Sequence, residues 1–121
     1  MMTQNHFILD MYRAIDAKSS VGMCNFLTED ASFRFANMPA VDGKANIITF
    51  LDGFFSSIKA IQHTDIEYWN STNVWTVSGN VTYTRHNDSR LKVPFAVILK
   101  MNGDLVREFL IFGDMSELYS S

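Results

Sequence analysis

The sequence predicts an α+β domain in which three amino-terminal helices pack on a strongly curved, mostly antiparallel sheet. In the first half of the chain, apolar residues recur at helical spacing. In the second half, β-branched and aromatic residues fill long segments that polar turns separate. Helices followed by a run of strands are typical of α+β proteins, in which the helices cover one face of the sheet. The 121 residues have the size of a single domain, which we expect to span residues 1–121.

Three segments have the apolar spacing of helices. The first has Thr3 as its expected N-cap and carries Ile8, Met11, Tyr12 and Ile15 on one face. The step at residues 18–20 ends it, and a second, short helix is predicted through Met23 and Leu27 to residues 28–30. The third has its apolar residues at Ile47, Phe50, Leu51, Phe54 and Ile58.

Strands are predicted at residues 31–35, 63–69, 74–85, 91–101 and 105–112. The dipeptide Asn102-Gly103 is a strong hairpin signal between the last two. The segment 91–101 is apolar on both faces, whereas a strand with one face in water alternates apolar and polar residues. We therefore expect a homodimer in which the outer face of the sheet is covered by a second subunit.

Composition and charge exclude several functional classes. The net charge is −3 and no basic stripe is present, which disfavours nucleic-acid binding. No apolar run is long enough to cross a bilayer, and the polar first residues do not resemble a secretory signal, so neither a membrane partner nor export is expected. Cys24 is the lone cysteine, which fits a reducing, cytoplasmic location. The histidine and cysteine spacing predicts no metal site, and no nucleotide or other cofactor fingerprint occurs.

Aromatic residues are unusually frequent, with ten Phe, four Tyr and two Trp. Rings in such number fill a core, line a cavity or cover an interface. A cavity suited to a small apolar or aromatic ligand is one prediction, and plain core packing is the alternative for each ring. The aromatic residues that we expect at a ligand are Tyr12, Phe33, Phe35, Phe54 and Tyr83.

His63 and Asp16 are the candidate catalytic residues. An imidazole at the start of a strand, facing a ring-lined cavity, can act as a general acid or base near neutral pH. Asp16 ends the apolar face of the first helix and could orient His63 across the pocket. The alternatives are a buried structural imidazole, and an aspartate that bonds local backbone at the helix end.

Four segments in the expected order resemble the nuclear transport factor 2-like superfamily, on its SnoaL-like side. They are residues 12–16, 26–33, 41–44, and 102–106 with 111–114. The resemblance implies a cone-shaped, cystatin-like α+β roll, in which residues 41–44 and the following helix would close the mouth of the cone. This scaffold hosts isomerases, dehydratases and cyclases as well as binding modules, so the fold does not fix the function.

The known chemistries of the superfamily fit only in part. In the resemblance to ketosteroid isomerases, the three catalytic positions fall on Met11, Phe35 and Ala96, none of which can carry the chemistry. The last-strand carboxylate of limonene-epoxide hydrolases falls on Ile111. Both Ala96 and Ile111 are therefore expected to line the ligand site without titrating.

The dehydratase resemblance is a fragment. Gln62-His63 and Trp69 are similar to the pattern of scytalone dehydratases, but the polar pair of those enzymes falls on Lys92 and Pro94. The sequence therefore predicts a SnoaL-like protein that binds a small apolar ligand, with cofactor-free isomerase, dehydratase or cyclase activity. The alternative is a non-catalytic binding or protein-association module of the same fold.

Overall fold

A computed structural model of the protein describes residues 6–119. Its helices and strands, in chain order, are α1 (Phe7–Asp16), α2 (Ser20–Cys24), β1 (Leu27–Phe35), β2 (Val41–Asp42), α3 (Lys44–Ser56), β3 (Ala60–Ser71), β4 (Val74–Thr84), β5 (Arg90–Asn102) and β6 (Leu105–Phe112). The predicted α+β class and the three helices are confirmed. None of the helices within residues 6–119 is long and apolar enough to cross a membrane.

One six-stranded sheet organises the molecule, in the order β2-β1-β6-β5-β4-β3. The β1–β6 pair is parallel and every other pair of neighbours is antiparallel. The helices pack on its concave face, α1 against β3 and α3 against β1. This is the predicted cystatin-like roll, with the core enclosed between the helices and the sheet.

A bulge in β3 bends the sheet around the core. The pairing register of β3 with β4 shifts between Thr64 and Glu67, and Asp65 has a φ of 57°. Opposite the bulge lies Gly79, where an added Cβ would stand 2.7 Å from the carbonyl oxygen of Thr64 and 3.0 Å from the Phe95 ring. Bulges bend a strand and increase its local twist. Glycine at position 79 thus permits the close approach of the backbones at the bend.

Lys18 fixes the end of α1 against the start of β3. Its φ of 57° ends the helix, and its ammonium group donates hydrogen bonds to the carbonyls of Phe55, Ile58 and Lys59 at 3.2, 3.0 and 3.2 Å. A cation at the C-terminal end of a helix satisfies carbonyls that lack intrahelical partners. The contact places Asp16 beside the first residues of β3.

The predicted hairpin between the last two strands is confirmed, with its turn at Gly103 and Asp104 and with Asn102 paired to Leu105. Two other local predictions were wrong. The segment predicted to continue the second helix is the start of β1, because Leu27 pairs with Val106 of β6. Thr3 lies outside the described residues, and the N-cap of α1 is His6, whose Nδ1 accepts the N–H of Ile8 at 3.2 Å.

Candidate functional site

The cone encloses a narrow apolar cavity with a free volume of about 50 Å³. Its lining comes from α1, α3 and the concave face of the sheet, and no described lining residue is Asp, Glu, Lys or Arg. A space of this size holds only a few groups of the size of a water molecule. The described lining residues carry few polar side-chain groups, and two of these, on His63 and Tyr12, lie side by side.

The imidazole of His63 is hydrogen-bonded to Asp16. Its Nδ1 lies 2.6 Å from Asp16 Oδ1, and the carboxylate also accepts the backbone N–H of His63, at 3.0 Å to Oδ2. The His63 side chain is 9% exposed and that of Asp16 is 29% exposed. An aspartate that accepts from Nδ1–H fixes the ring orientation and leaves Nε2 as the proton acceptor of the neutral ring. The pairing that the sequence proposed between these two residues is present.

Tyr12 places a phenol next to this pair. Its ring centroid lies 4.6 Å from that of His63, and the residue is 2% exposed. Among the described residues its hydroxyl is the buried side-chain polar atom without a hydrogen-bond partner. Burial, reinforced by the charge of Asp16, raises the pKa of Tyr12 well above its usual value, so the hydroxyl stays protonated. It can donate a hydrogen bond to a group that enters the cavity.

A second, wider space lies outside the cavity. This outer groove has a free volume of about 410 Å³ and is lined by residues 35–38, by α3 and by the carboxyl-terminal segment. Three side chains line both the cavity and the groove, namely Phe35, Phe54 and Met115. They form a partition between the two spaces. Residues 41–44, which the resemblance placed at the mouth, line neither space; β2 instead pairs with the outer edge of β1.

The sequence-predicted ligand residues divide into two groups. The side chains that line the cavity are those of Tyr12, Phe35, Phe54, Tyr83 and Ile111. Phe33 does not line it, because its ring is packed in the core against Phe109, with 5.3 Å between centroids. Ala96 does not line it either.

The reason for the error at Ala96 is strand alternation. Successive residues of a strand point to opposite faces, and Phe95 and Val97 both line the cavity. Ala96 therefore lies on the outer face of the sheet, opposite Ser78 and Phe112 on the adjacent strands.

The first-helix residue at the cavity differs from the one that the resemblance to ketosteroid isomerases indicated. The first-helix role of ketosteroid isomerases was assigned to Met11, but Tyr12 lines the cavity whereas Met11 packs in the core outside the lining. A phenol is thus present on the helix at the cavity. The other two positions, Phe35 and Ala96, still offer no carboxylate, and among the described lining residues His63 supplies the imidazole.

Several lining residues were not among those expected at the ligand, and Phe95 and Met115 are two of them. The ring of Phe95 contacts that of His63 edge to face, with 5.1 Å between centroids. Because Phe95 precedes Ala96 in β5, strand alternation could have shown that the two side chains lie on opposite faces of the sheet. Met115 follows the last strand, where the apolar residues Met115, Leu118 and Tyr119 were the only available signal. Within the described part of the chain, no group of three or more His, Cys, Asp or Glu residues could hold a metal ion.

The family model of the SnoaL-like domain matches residues 8–109, which is most of the chain. The chain belongs to the SnoaL-like domain family. Among curated proteins, no significant match is found. The family match covers α1 through most of β6, and so includes both members of the His63–Asp16 pair.

Solved structures agree with this fold. A candidate polyketide cyclase from Xanthomonas campestris superposes with a TM-score of 0.84 at 17% identity, covering 92% of this chain and 90% of the other. A protein of ketosteroid isomerase-like fold from Catenulispora acidiphila, in complex with trimethylamine, gives 0.84 at 13% identity, covering 94% and 89%. TerC, co-crystallised with polyporic acid, gives 0.80 at 14% identity, covering 93% and 92%. Identities this low establish the fold alone.

Proposed function

We propose that this SnoaL-like protein binds a small neutral carbonyl compound in its cone and transfers a proton from a carbon next to the carbonyl. The observation that carries the proposal is the buried, unpartnered hydroxyl of Tyr12 beside the His63–Asp16 pair. A buried hydroxyl without a partner costs about 1–3 kcal/mol. Such a group is explained if its partner is a ligand.

The roles of the three residues follow from their contacts. Asp16 accepts from Nδ1–H of His63 and would stabilise the imidazolium that forms when Nε2 takes the proton. Tyr12 would donate its hydroxyl hydrogen to the carbonyl oxygen, which becomes the enolate oxygen as the C–H bond breaks. Return of the proton to another carbon completes an isomerisation. Attack of the enolate carbon on a second carbonyl carbon forms the new C–C bond, and the resulting alkoxide takes the proton back from Nε2 of His63, which completes a cyclisation.

The lining supports a neutral, two-part ligand. A charged ligand would be buried without a counter-charge, because no described residue of the cavity or the outer groove is Lys, Arg, Asp or Glu. The inner space of about 50 Å³ accommodates a carbonyl end, and the groove of about 410 Å³ is within the range of small-molecule sites. The carbonyl would point at Tyr12 and the larger apolar part would lie in the groove.

Proton transfer can be tested without knowing the natural substrate. The probe is 2-tetralone, a neutral bicyclic ketone with exchangeable hydrogens beside its carbonyl. In D₂O, NMR follows the loss of these hydrogens with and without the protein. We expect the wild type to accelerate exchange and His63→Gln to lower that rate by about a hundredfold. Tyr12→Phe should lower it by a similar factor, since it removes a donor to the developing enolate.

The matched control is His86→Gln. His86 is an exposed histidine whose Nε2 contacts the carbonyl of Ser56 at 2.9 Å, and it does not line the cavity. Exchange should be unchanged in this variant. Chemical-shift changes at the cavity without accelerated exchange would identify a non-catalytic binding module. Exchange that persists in His63→Gln would refute the assigned base.

We also propose that the protein is a homodimer through the outer face of the sheet and acts in the cytoplasm. Trp69 and Phe112 are 54% and 48% exposed, and the pairing register puts Ala96 and Ile98 on the same face as these two rings. An apolar patch of this kind is typical of an association surface. Cys24 is buried and unpaired, which favours a reducing compartment.

A further inference from the structure

The segment that follows β6, residues 113–119, borders both the cavity and the outer groove. Beyond β6, residues 114–119 leave the sheet and end in a turn at residues 116–119, with the Leu118 N–H bonded to the Met115 carbonyl at 3.1 Å. Leu118 is 2% exposed and belongs to the core cluster, while Tyr119 is 67% exposed. Residues 114–119 are therefore held by side-chain contacts rather than by a strand ladder.

Met115 is the part of the partition that can move. Of the three side chains between the cavity and the outer groove, Phe35 lies on β1 and Phe54 on α3, whereas Met115 lies on the irregular segment. A methionine side chain is flexible and adapts to irregular spaces. Its sulphur accepts the Tyr83 hydroxyl at 3.8 Å, which is a weak interaction and readily exchanged.

Arg85 holds the far end of the segment. Its Nε donates to the Leu118 carbonyl at 2.9 Å and its Nη2 to the Glu117 carbonyl at 2.7 Å. A second contact joins the Tyr119 hydroxyl to Ser57 Oγ at 2.8 Å. Hydrogen bonds from a guanidinium group are among the stronger ones, so Arg85 is the main polar tie between this segment and the sheet.

We propose that residues 113–119 form a gate over the cavity, with Arg85 as its latch and Met115 as the side chain that an entering ligand displaces. In the closed arrangement the cavity has a free volume of only about 50 Å³, while about 410 Å³ lies on the other side of the partition. A molecule of several rings reaches Tyr12 and His63 only when the partition opens. Release of the two carbonyls by Arg85 frees the segment, and movement of Met115 joins the two spaces.

The gate can be tested by thiol labelling, which measures access and does not depend on whether His63 is catalytic. In a Cys24→Ala background, Val81→Cys places a thiol in the cavity lining, and Val77→Cys places one on the same strand outside the lining. Both native valines are buried, at 2% and 0% exposure. N-ethylmaleimide is added and the labelled fraction is followed by mass spectrometry. The cavity thiol reports the gate, and the other thiol reports general unfolding.

We expect Arg85→Gln to speed labelling at position 81 by about tenfold or more, because Arg85 donates two hydrogen bonds to the segment and losing even one bond from a charged group changes an equilibrium by about tenfold. Labelling at position 77 should not change. Met115→Ala should also speed labelling at position 81, because it removes the partition while leaving the Arg85 contacts. Arg107→Gln is the matched control, since Arg107 is an exposed arginine that pairs with Glu108 at 3.0 Å.

Two outcomes would overturn the proposal. Equal acceleration at positions 77 and 81 would mean that Arg85 supports overall stability rather than a gate. No acceleration at position 81 in Arg85→Gln would mean that the segment is not the route into the cavity. Faster labelling confined to position 81 supports the gate even if the exchange assay with 2-tetralone fails.

Discussion

Replacing Tyr12 with Phe should stabilise the free protein while impairing its function. The Tyr12 hydroxyl is buried and has no partner among the described residues. Desolvation of an unsatisfied hydroxyl costs about 1–3 kcal/mol, and Phe keeps the ring in place with almost the same volume. The ring contacts with His63 and Phe95, at centroid distances of 4.6 and 5.8 Å, are retained. We expect the free energy of unfolding to rise by about 1 kcal/mol.

The assay is urea unfolding followed by circular dichroism, with thermal unfolding as a second measure. A gain of about 1 kcal/mol in a chain of this length raises Tm by about 4 °C. The denaturation midpoint should increase with an unchanged m-value, because the surface exposed on unfolding stays the same. Tyr83→Phe is the control, since its hydroxyl donates to the Met115 sulphur and its removal should lower stability slightly.

The result that would refute this reasoning is a loss of stability in Tyr12→Phe. Removing a satisfied buried hydroxyl lowers stability by about 0.5–1.5 kcal/mol, so such a loss would show that the hydroxyl is paired in the folded protein. The ligand-facing role of Tyr12 would then have no energetic support.

Three further outcomes are expected. Burial raises the pKa of Cys24 from 9.0 to about 11 and raises that of Tyr12 above 10.0. The free energy of unfolding should therefore be at its full value below about pH 9 and fall as the pH rises. Cys24→Ala should move the onset of alkaline unfolding towards pH 10. Burial lowers the pKa of His6, whose Nδ1 caps α1 only when it is unprotonated. The free energy of unfolding should therefore be at its full value above about pH 6.5 and fall at lower pH. His6→Asn, which caps the helix without titrating, should reduce the difference between urea unfolding at about pH 5 and at about pH 7.5. Ile98→Arg should convert the proposed dimer to a monomer in sedimentation velocity, and a wild type that is already monomeric at micromolar concentration would contradict the dimer.

The fold was predictable wherever the chain keeps a regular period. The predicted strand 74–85 differs by one residue from β4, and the predicted strand 105–112 coincides with β6. The start of β1 was missed because its first four residues are two buried followed by two exposed, which is not the alternation of a strand. The register shift between Leu27 and Ser32 is the physical cause, since an irregularity there lets neighbouring side chains share a face.

The candidate site was predictable in its chemistry more than in its geometry. His63 and Asp16 are separated by 47 residues in the chain, and the contact between them depends on where α1 ends. That end is set by Lys18, whose three carbonyl partners belong to the end of α3 and the residues leading into β3. No local pattern reveals such a long-range tie. The proposed gate has no sequence signal of its own, because residues 113–119 are too few to show a period.

The site has a consequence for how ligand binding and stability are connected. In the free protein, the unpaired hydroxyl of Tyr12 lowers the stability of the folded state. A ligand carbonyl that accepts this hydroxyl would restore the lost free energy on binding, in addition to the stabilisation that any ligand of the native state provides. The rise in Tm caused by a saturating carbonyl ligand should therefore be larger in the wild type than in Tyr12→Phe. An equal rise in both proteins would show that the ligand does not reach the hydroxyl.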